Sequence, residues 1–125
     1  MHDAAVRELK AGRKTGHWIW YELPQLAGLG RSQMSVRYAI SGLGEARAYL
    51  QHPILGPRLV ECCEALLVHT GQDAVDILGS IDARKARSSM TLFHRADPHA
   101  AVFRRVLDAF YGGTADPRTD ELLGS

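Results

Sequence analysis

The sequence predicts an all-α fold, a bundle of about six to seven helices with a long aromatic connector after the first. Three observations predict it. Residues that start and stop helices recur along the chain, and apolar residues return at three- and four-residue spacing. Apart from His17 to Leu23, "HWIWYEL", no run of four or more residues alternates cleanly as a strand would.

The start and stop marks have physical causes. Side-chain oxygens cap free N–H groups, proline is tolerated in a first turn, and glycine takes the left-handed stop. Asp3 opens "AAVRELKA" and Gly12 closes it; Ser32 opens "QMSVRYAI"; Gly44 precedes "EARAYL". Pro53 and Pro57 stand ahead of "RLVECCEALLVHT", which Gly71 stops, and "DAVDIL" ends at Gly79. Ser80 caps "IDARKARSSMTLFHR", Asp97-Pro98 starts "HAAVFRRVLDAFY" with its stop at Gly112, and Asp116-Pro117 starts a last turn that ends at Gly124. Leu55, Leu59, Cys62, Cys63 and Leu66 form one apolar stripe, and Val102, Phe103, Val106, Leu107 and Phe110 form another.

A chain of 125 residues fits a single domain spanning 1–125, and its 46% hydrophobic content supplies one core without help from a metal or disulfide. Cys62 and Cys63 are neighbours on a helix, point about 100° apart and cannot pair, so both read as core thiols. Fifteen Lys and Arg against fourteen Asp and Glu exclude a dedicated nucleic-acid or membrane-surface binder, which would concentrate basic residues. The polar start "MHDAAVRELK" and the lack of a long apolar segment give no sign of a signal peptide or membrane span, so a cytoplasmic location is expected. A homodimer is expected only from the frequency of twofold assemblies.

The segment "RKTGHWIWYELPQLAGLGRS", Arg13 to Ser32, is the unusual feature. Between Gly12 and the Ser32 cap this makes a connection of about nineteen residues, where the usual length is about 4–6, and long ordered connections tend to be functional. Two readings stand side by side. In one, Trp18 and Trp20 plug gaps between helices while Arg13 and Lys14 complement the C-terminal end of the first helix. In the other the segment lines a pocket: Trp18 or Trp20 stacks on a ligand, Arg13 and Lys14 hold an anion, His17 donates or carries a proton, and Gln25 reads a polar edge. "GLGRS" at 28–32 closes the connector at a helix start, where free N–H groups favour an anion, but without a preceding strand it is no dinucleotide fingerprint.

On the helix over 81–95, Arg84, Arg87, Thr91, His94 and Arg95 share a side that reads as a solvated basic face, opposite Ile81, Ala86, Met90, Leu92 and Phe93. Asp82, Lys85, Ser88 and Ser89 fall in or beside the apolar arc. They either allow close packing and satisfy backbone groups, or supply donors to a ligand beneath the connector. The histidines make no H-x-x-x-H or Cys/His ligand spacing, so no metal and no cofactor are expected. Glu61 with Glu64 and Asp73 with Asp76 are read as solvated pairs, and a nucleophile elbow and a P-loop are both missing.

The segments "ELKAGRK", "HWIW", "PQLAGLGRS", "EARAYLQHPILGPRL", "SSMTLF" and "FYGG" together resemble the small bacterial family known as domain of unknown function 1810 (DUF1810), over about Glu8 to Leu122. The resemblance implies a compact, mainly helical domain without an established activity, and it brings no catalytic residues. Two features differ from the family pattern. The aromatic-containing upstream extension of the first helix is not in this sequence, and relatives more often show Met after the first Trp of "HWIWYELPQL" and Phe after the second.

The expected function is binding of a small anionic, nucleotide-like molecule between the 13–32 connector and helix 81–95. Arg13, Lys14 and Lys85 would take the anion, Trp18 and Trp20 would stack, and His17, Gln25, Ser88 and Ser89 would make polar contacts. A helical protein-interaction module that uses Arg84, Arg87 and Arg95 is the alternative. A further alternative is hydrolysis or glycosyl cleavage of such a ligand, with His17 or Asp82 handling a proton.

Overall fold

A computed structural model describes residues 2–124, and helices α1 (His2–Ala11), α2 (Ile19–Glu22), α3 (Gln33–Arg37), α4 (Leu43–Gln51), α5 (Leu55–Leu67), α6 (Ala74–Leu78), α7 (Ser80–Ala96), α8 (Ala101–Tyr111) and α9 (Pro117–Leu122) follow one another. The all-α class holds among these residues. Their extended pairing is one isolated parallel bridge, Leu26 with Ile40, which ties the connector to the segment after α3. The count exceeds the sequence expectation, mainly because "IWYE" within the connector forms the short helix α2.

Several caps act as the side-chain chemistry requires. Ser32 accepts from Ser35 N–H, Asp73 from Val75 N–H and Asp116 from Thr119 N–H, and Pro117 occupies the first turn of α9. Other boundaries differ. Ser80 lies inside α7, whose N-cap is Gly79 at φ +86°, and α8 starts at Ala101 because Asp97 spends its carboxylate on His99 N–H in the preceding turn.

α7 is the hub, packing against α2, α4, α6, α8 and α9, while α5 packs against α1, α4 and α8. "SSMTLF", Ser88 to Phe93, is buried at every position, so this stretch of α7 is enclosed on all sides. Phe93 meets Tyr49 of α4 and Phe103 of α8 in tilted ring contacts at 5.3 and 5.8 Å. Leu59, Cys62, Cys63 and Leu66 on α5 and Phe103, Val106 and Leu107 on α8 complete the same core.

The expected solvated basic face of α7 is covered in part by the chain's own C-terminal segment, while Arg84 and Arg95 stay exposed. Arg87 donates to the carbonyls of Thr114 and Ala115, Thr91 Oγ1 accepts Asp116 N–H, and Arg95 makes a bidentate pair with Asp120. Thr91 is thus fully buried rather than solvated.

Candidate functional site

One carboxylate folds the connector onto α1. Glu8 Oε1 accepts Thr15 N–H and Gly16 N–H at 2.8 Å each and Trp18 Nε1–H at 3.0 Å. Hydrogen bonds from Gly16 above all, then from Thr15 and Trp18, favour the charged carboxylate and lower its pKa to about 2. Lys14 extends this clamp. Its Nζ lies 2.6 Å from Asp82 at the start of α7, donates to the Gly16 carbonyl, and sits 4.9 Å from the centre of the Trp18 ring.

This clamp decides where most of the sequence-selected residues go. Trp18 is 2% exposed and is part of the core, so it offers no face to a ligand. Lys14 and Asp82 satisfy each other, and His17 and Arg13 are exposed on the connector. Trp20 is half-buried and stacks on Tyr38 at 5.1 Å, with Tyr21 set edge-on to both rings. Ser89 is fully enclosed in the core, and its hydroxyl has no hydrogen-bond partner among the described residues.

Gln25, Lys85 and Ser88 do come together. They line a groove of about 530 Å³ between the end of the connector, α7 and the start of α9. Ile81, Arg84, Lys85 and Ser88 recur at three- and four-residue spacing, which places them on one stripe of α7. Arg31 and Arg118 join from the other two walls, so four cationic side chains surround the groove. The carboxylate there, Asp116, is already engaged by the Ser88 hydroxyl and by the N–H and hydroxyl of Thr119. Lys85 Nζ donates to Ser35 Oγ at 3.3 Å, and Arg31, Arg84 and Lys85 form no ion pair among the described residues. Uncompensated positive charge in a concave surface raises the local concentration of anions.

Sequence reasoning missed Arg31 and Arg118 in this groove and assigned Arg84 to a different side of α7. The stripe at 81, 84, 85 and 88 was the available signal. No short-range pattern marks Arg118, which reaches the groove because α9 folds back on α7.

A second polar constellation, also unmarked by spacing, lies where α1, α2 and α5 meet. Glu22 is buried, and its Oε1 is 2.6 Å from His2 Nδ1 and accepts from Cys62 Sγ at 3.5 Å; His2 Nε2 is 2.5 Å from Glu61. Burial pulls the His2 pKa down, but its bonds to Glu22 and Glu61 outweigh this and raise it. Burial, with the Glu22 charge second, pushes the Cys62 thiol well up. Glu22 Oε2 is buried and has no hydrogen-bond partner among the described residues. His2 also lines a hollow of about 530 Å³ beside Trp20, Tyr21, Tyr38 and Arg58.

A helical domain with a cationic groove framed by its connector, its central helix and its C-terminal helix is the class of protein these features define. The chain belongs to the DUF1810 family, proteins of unknown function, whose sequence pattern matches residues 1–123. It is similar to the conserved hypothetical protein Rv1873 from Mycobacterium tuberculosis, with 50% identity and a TM-score of 0.95 over 98% of this chain and 88% of that one. No curated protein matches it. Among the described residues no helix is long and apolar enough to cross a membrane.

Proposed function

We propose that the protein binds a small anionic ligand in the groove between residues 25–31, α7 and α9. What supports this reading is the cationic set Arg31, Arg84, Lys85 and Arg118 around one hollow, with a single carboxylate already held by its own neighbours. Gln25 and Ser88 add neutral polar contacts, and Leu29 and Ile81 add apolar flanks. Among the described residues no aromatic ring lines the groove, so recognition rests on the ligand's phosphate or carboxylate groups, and a nucleobase gains no stacking partner there. Lys14 with Asp82 and the outlying His17 supply no proton-transfer pair at this groove, so the reading is one of binding. Arg87 and Arg95 are occupied within the chain, which leaves the alternative of a basic docking face without two of its three arginines.

The test is a thermal-shift and calorimetric titration with inorganic phosphate, pyrophosphate and ADP-ribose at low and moderate salt. A ligand at about 100 times its Kd adds about 2.7 kcal/mol of stability, a readable shift that should weaken as salt rises. Lys85→Glu and Arg84→Glu are each expected to reduce affinity roughly tenfold, the equivalent of about 1.4 kcal/mol. A flat response from the wild type across all three probes rules the reading out, as does binding that neither variant weakens.

A further inference from the structure

His2, Glu22 and Cys62 lie 20 and 40 positions apart, and no ligand spacing in the sequence connects them. The fold brings His2 Nδ1, a Glu22 carboxylate oxygen and Cys62 Sγ within 4.8 Å of one another. The second, independent observation is the carboxylate itself. Glu22 is 3% exposed, its Oε1 is shared by His2 and Cys62, and its Oε2 has no partner among the described residues. A buried carboxylate is costly unless its oxygens meet donors or a cation. The His2 ring meets one oxygen of Glu22 and leaves the other over.

We infer that His2, Glu22 and Cys62 form a binding site for a divalent transition-metal ion of the zinc type, separate from the groove that α7 and α9 frame. An imidazole nitrogen, a carboxylate and a thiolate are the donor set that zinc takes, at about 2.0–2.1, 2.0–2.2 and 2.3 Å. With a neutral imidazole, the carboxylate and thiolate balance the ion's two positive charges. Glu61 on His2 Nε2 supplies the outer carboxylate that fixes the tautomer and turns Nδ1 toward the ion. At tetrahedral angles the ligand atoms stand about 3.3 Å apart or a little more. Nδ1 and Oε1, now 2.6 Å apart, therefore separate by under about 1 Å, which rotation of the Glu22 carboxyl provides. Three protein ligands leave one position for water or a ligand atom. His2 lines the hollow beside Trp20 and Tyr21, so the ion has a route from solvent.

The experiment is a cobalt(II) titration of the full, tag-free chain, read by thiolate-to-cobalt charge-transfer absorption in the near ultraviolet. The expected result is one ion per chain, a band that zinc(II) displaces, and loss of the band in Cys62→Ser but not in Cys63→Ser. Glu61→Gln should weaken the affinity about tenfold, because it removes only the outer partner of His2. A folded wild type without the band overturns the inference, and so does a band that survives Cys62→Ser. Should Cys62→Ser fail to fold, His2→Ala decides: a large loss of affinity supports the site, and unchanged affinity overturns it. Phosphate and pyrophosphate binding in the groove is measured separately, so either site can fail while the other stands.

Discussion

Replacing Gly56 by alanine is expected to destabilise the protein by about 2–3 kcal/mol, although alanine is the better helix former. Gly56 is in the first turn of α5, directly after the corner at His52 where α4 ends. A Cβ built there would stand 2.2 Å from the backbone carbonyl oxygen of Leu50 and 3.0 Å from its carbonyl carbon. A side chain could swing aside, but the obstacle is backbone near the end of α4, and α4 is itself held against α5 and α7. The helix-propensity gain of at most about 1 kcal/mol for Gly→Ala is smaller than the cost of prising two packed helices apart. Overpacking therefore sets the sign. Urea or thermal unfolding followed by circular dichroism measures it, and a drop in Tm of roughly 10 °C is expected. Equal or greater stability of Gly56→Ala would show that the α4–α5 corner yields more readily than a packed backbone should.

Gly56 also shows which parts of the molecule the sequence discloses. Its neighbours announce a helix start, since Pro57 belongs in a first turn and Leu59, Cys62, Cys63 and Leu66 carry the period of a buried face. The need for glycine there depends on how closely a second helix approaches, a tertiary quantity with no local signature. The same division runs through the whole fold. Ser32 and Asp116 were legible as caps because each works within three residues of itself, whereas Asp73, read as part of the helix it caps, was not. The covered face of α7 was not legible, because Thr114, Ala115 and Asp120 reach it from 25 or more positions away.

The candidate groove divides in the same way. Lys85 and Ser88 stood out as polar residues in places where a polar group needs a partner, Gln25 as an amide able to read a polar edge, and all three line it. The connector's most conspicuous residues do not, for a reason that is also physical. An indole N–H and a lysine ammonium are so readily satisfied by nearby carboxylates that Trp18 and Lys14 are taken up by Glu8 and Asp82 in holding the connector down. Aromatic and basic residues in a long loop can thus indicate anchoring as readily as binding. The discriminating feature, Glu8 seven positions before the first donor, was visible in "ELKAGRK" but carries no motif.

Loss of that anchor is the other large effect expected. Glu8→Ala removes the acceptor shared by two backbone N–H groups and by the indole of a buried tryptophan. Hydrogen bonds to a charged group contribute about 1.5–3 kcal/mol each. Because Glu8 is partly exposed and its donors can in part turn to water, the sum is discounted for screening to about 3 kcal/mol overall. The pH dependence separates this anchor from a loss of packing. The folded pKa of Glu8, about 2, lies below its ordinary value of 4.5, so the unfolded chain takes up the proton first as pH falls. The Glu8 contribution is therefore fully present above about pH 5 and disappears as pH falls from there toward 2. Unfolding by urea, followed through tryptophan fluorescence from pH 7 to pH 2.5, should show wild type and Glu8→Ala well separated at neutral pH and converging in acid. Glu8→Gln, which keeps an acceptor but no charge, should fall between them at neutral pH. A wild-type advantage that stays constant down to pH 2.5 would mean that Glu8 acts through contacts that do not need its charge.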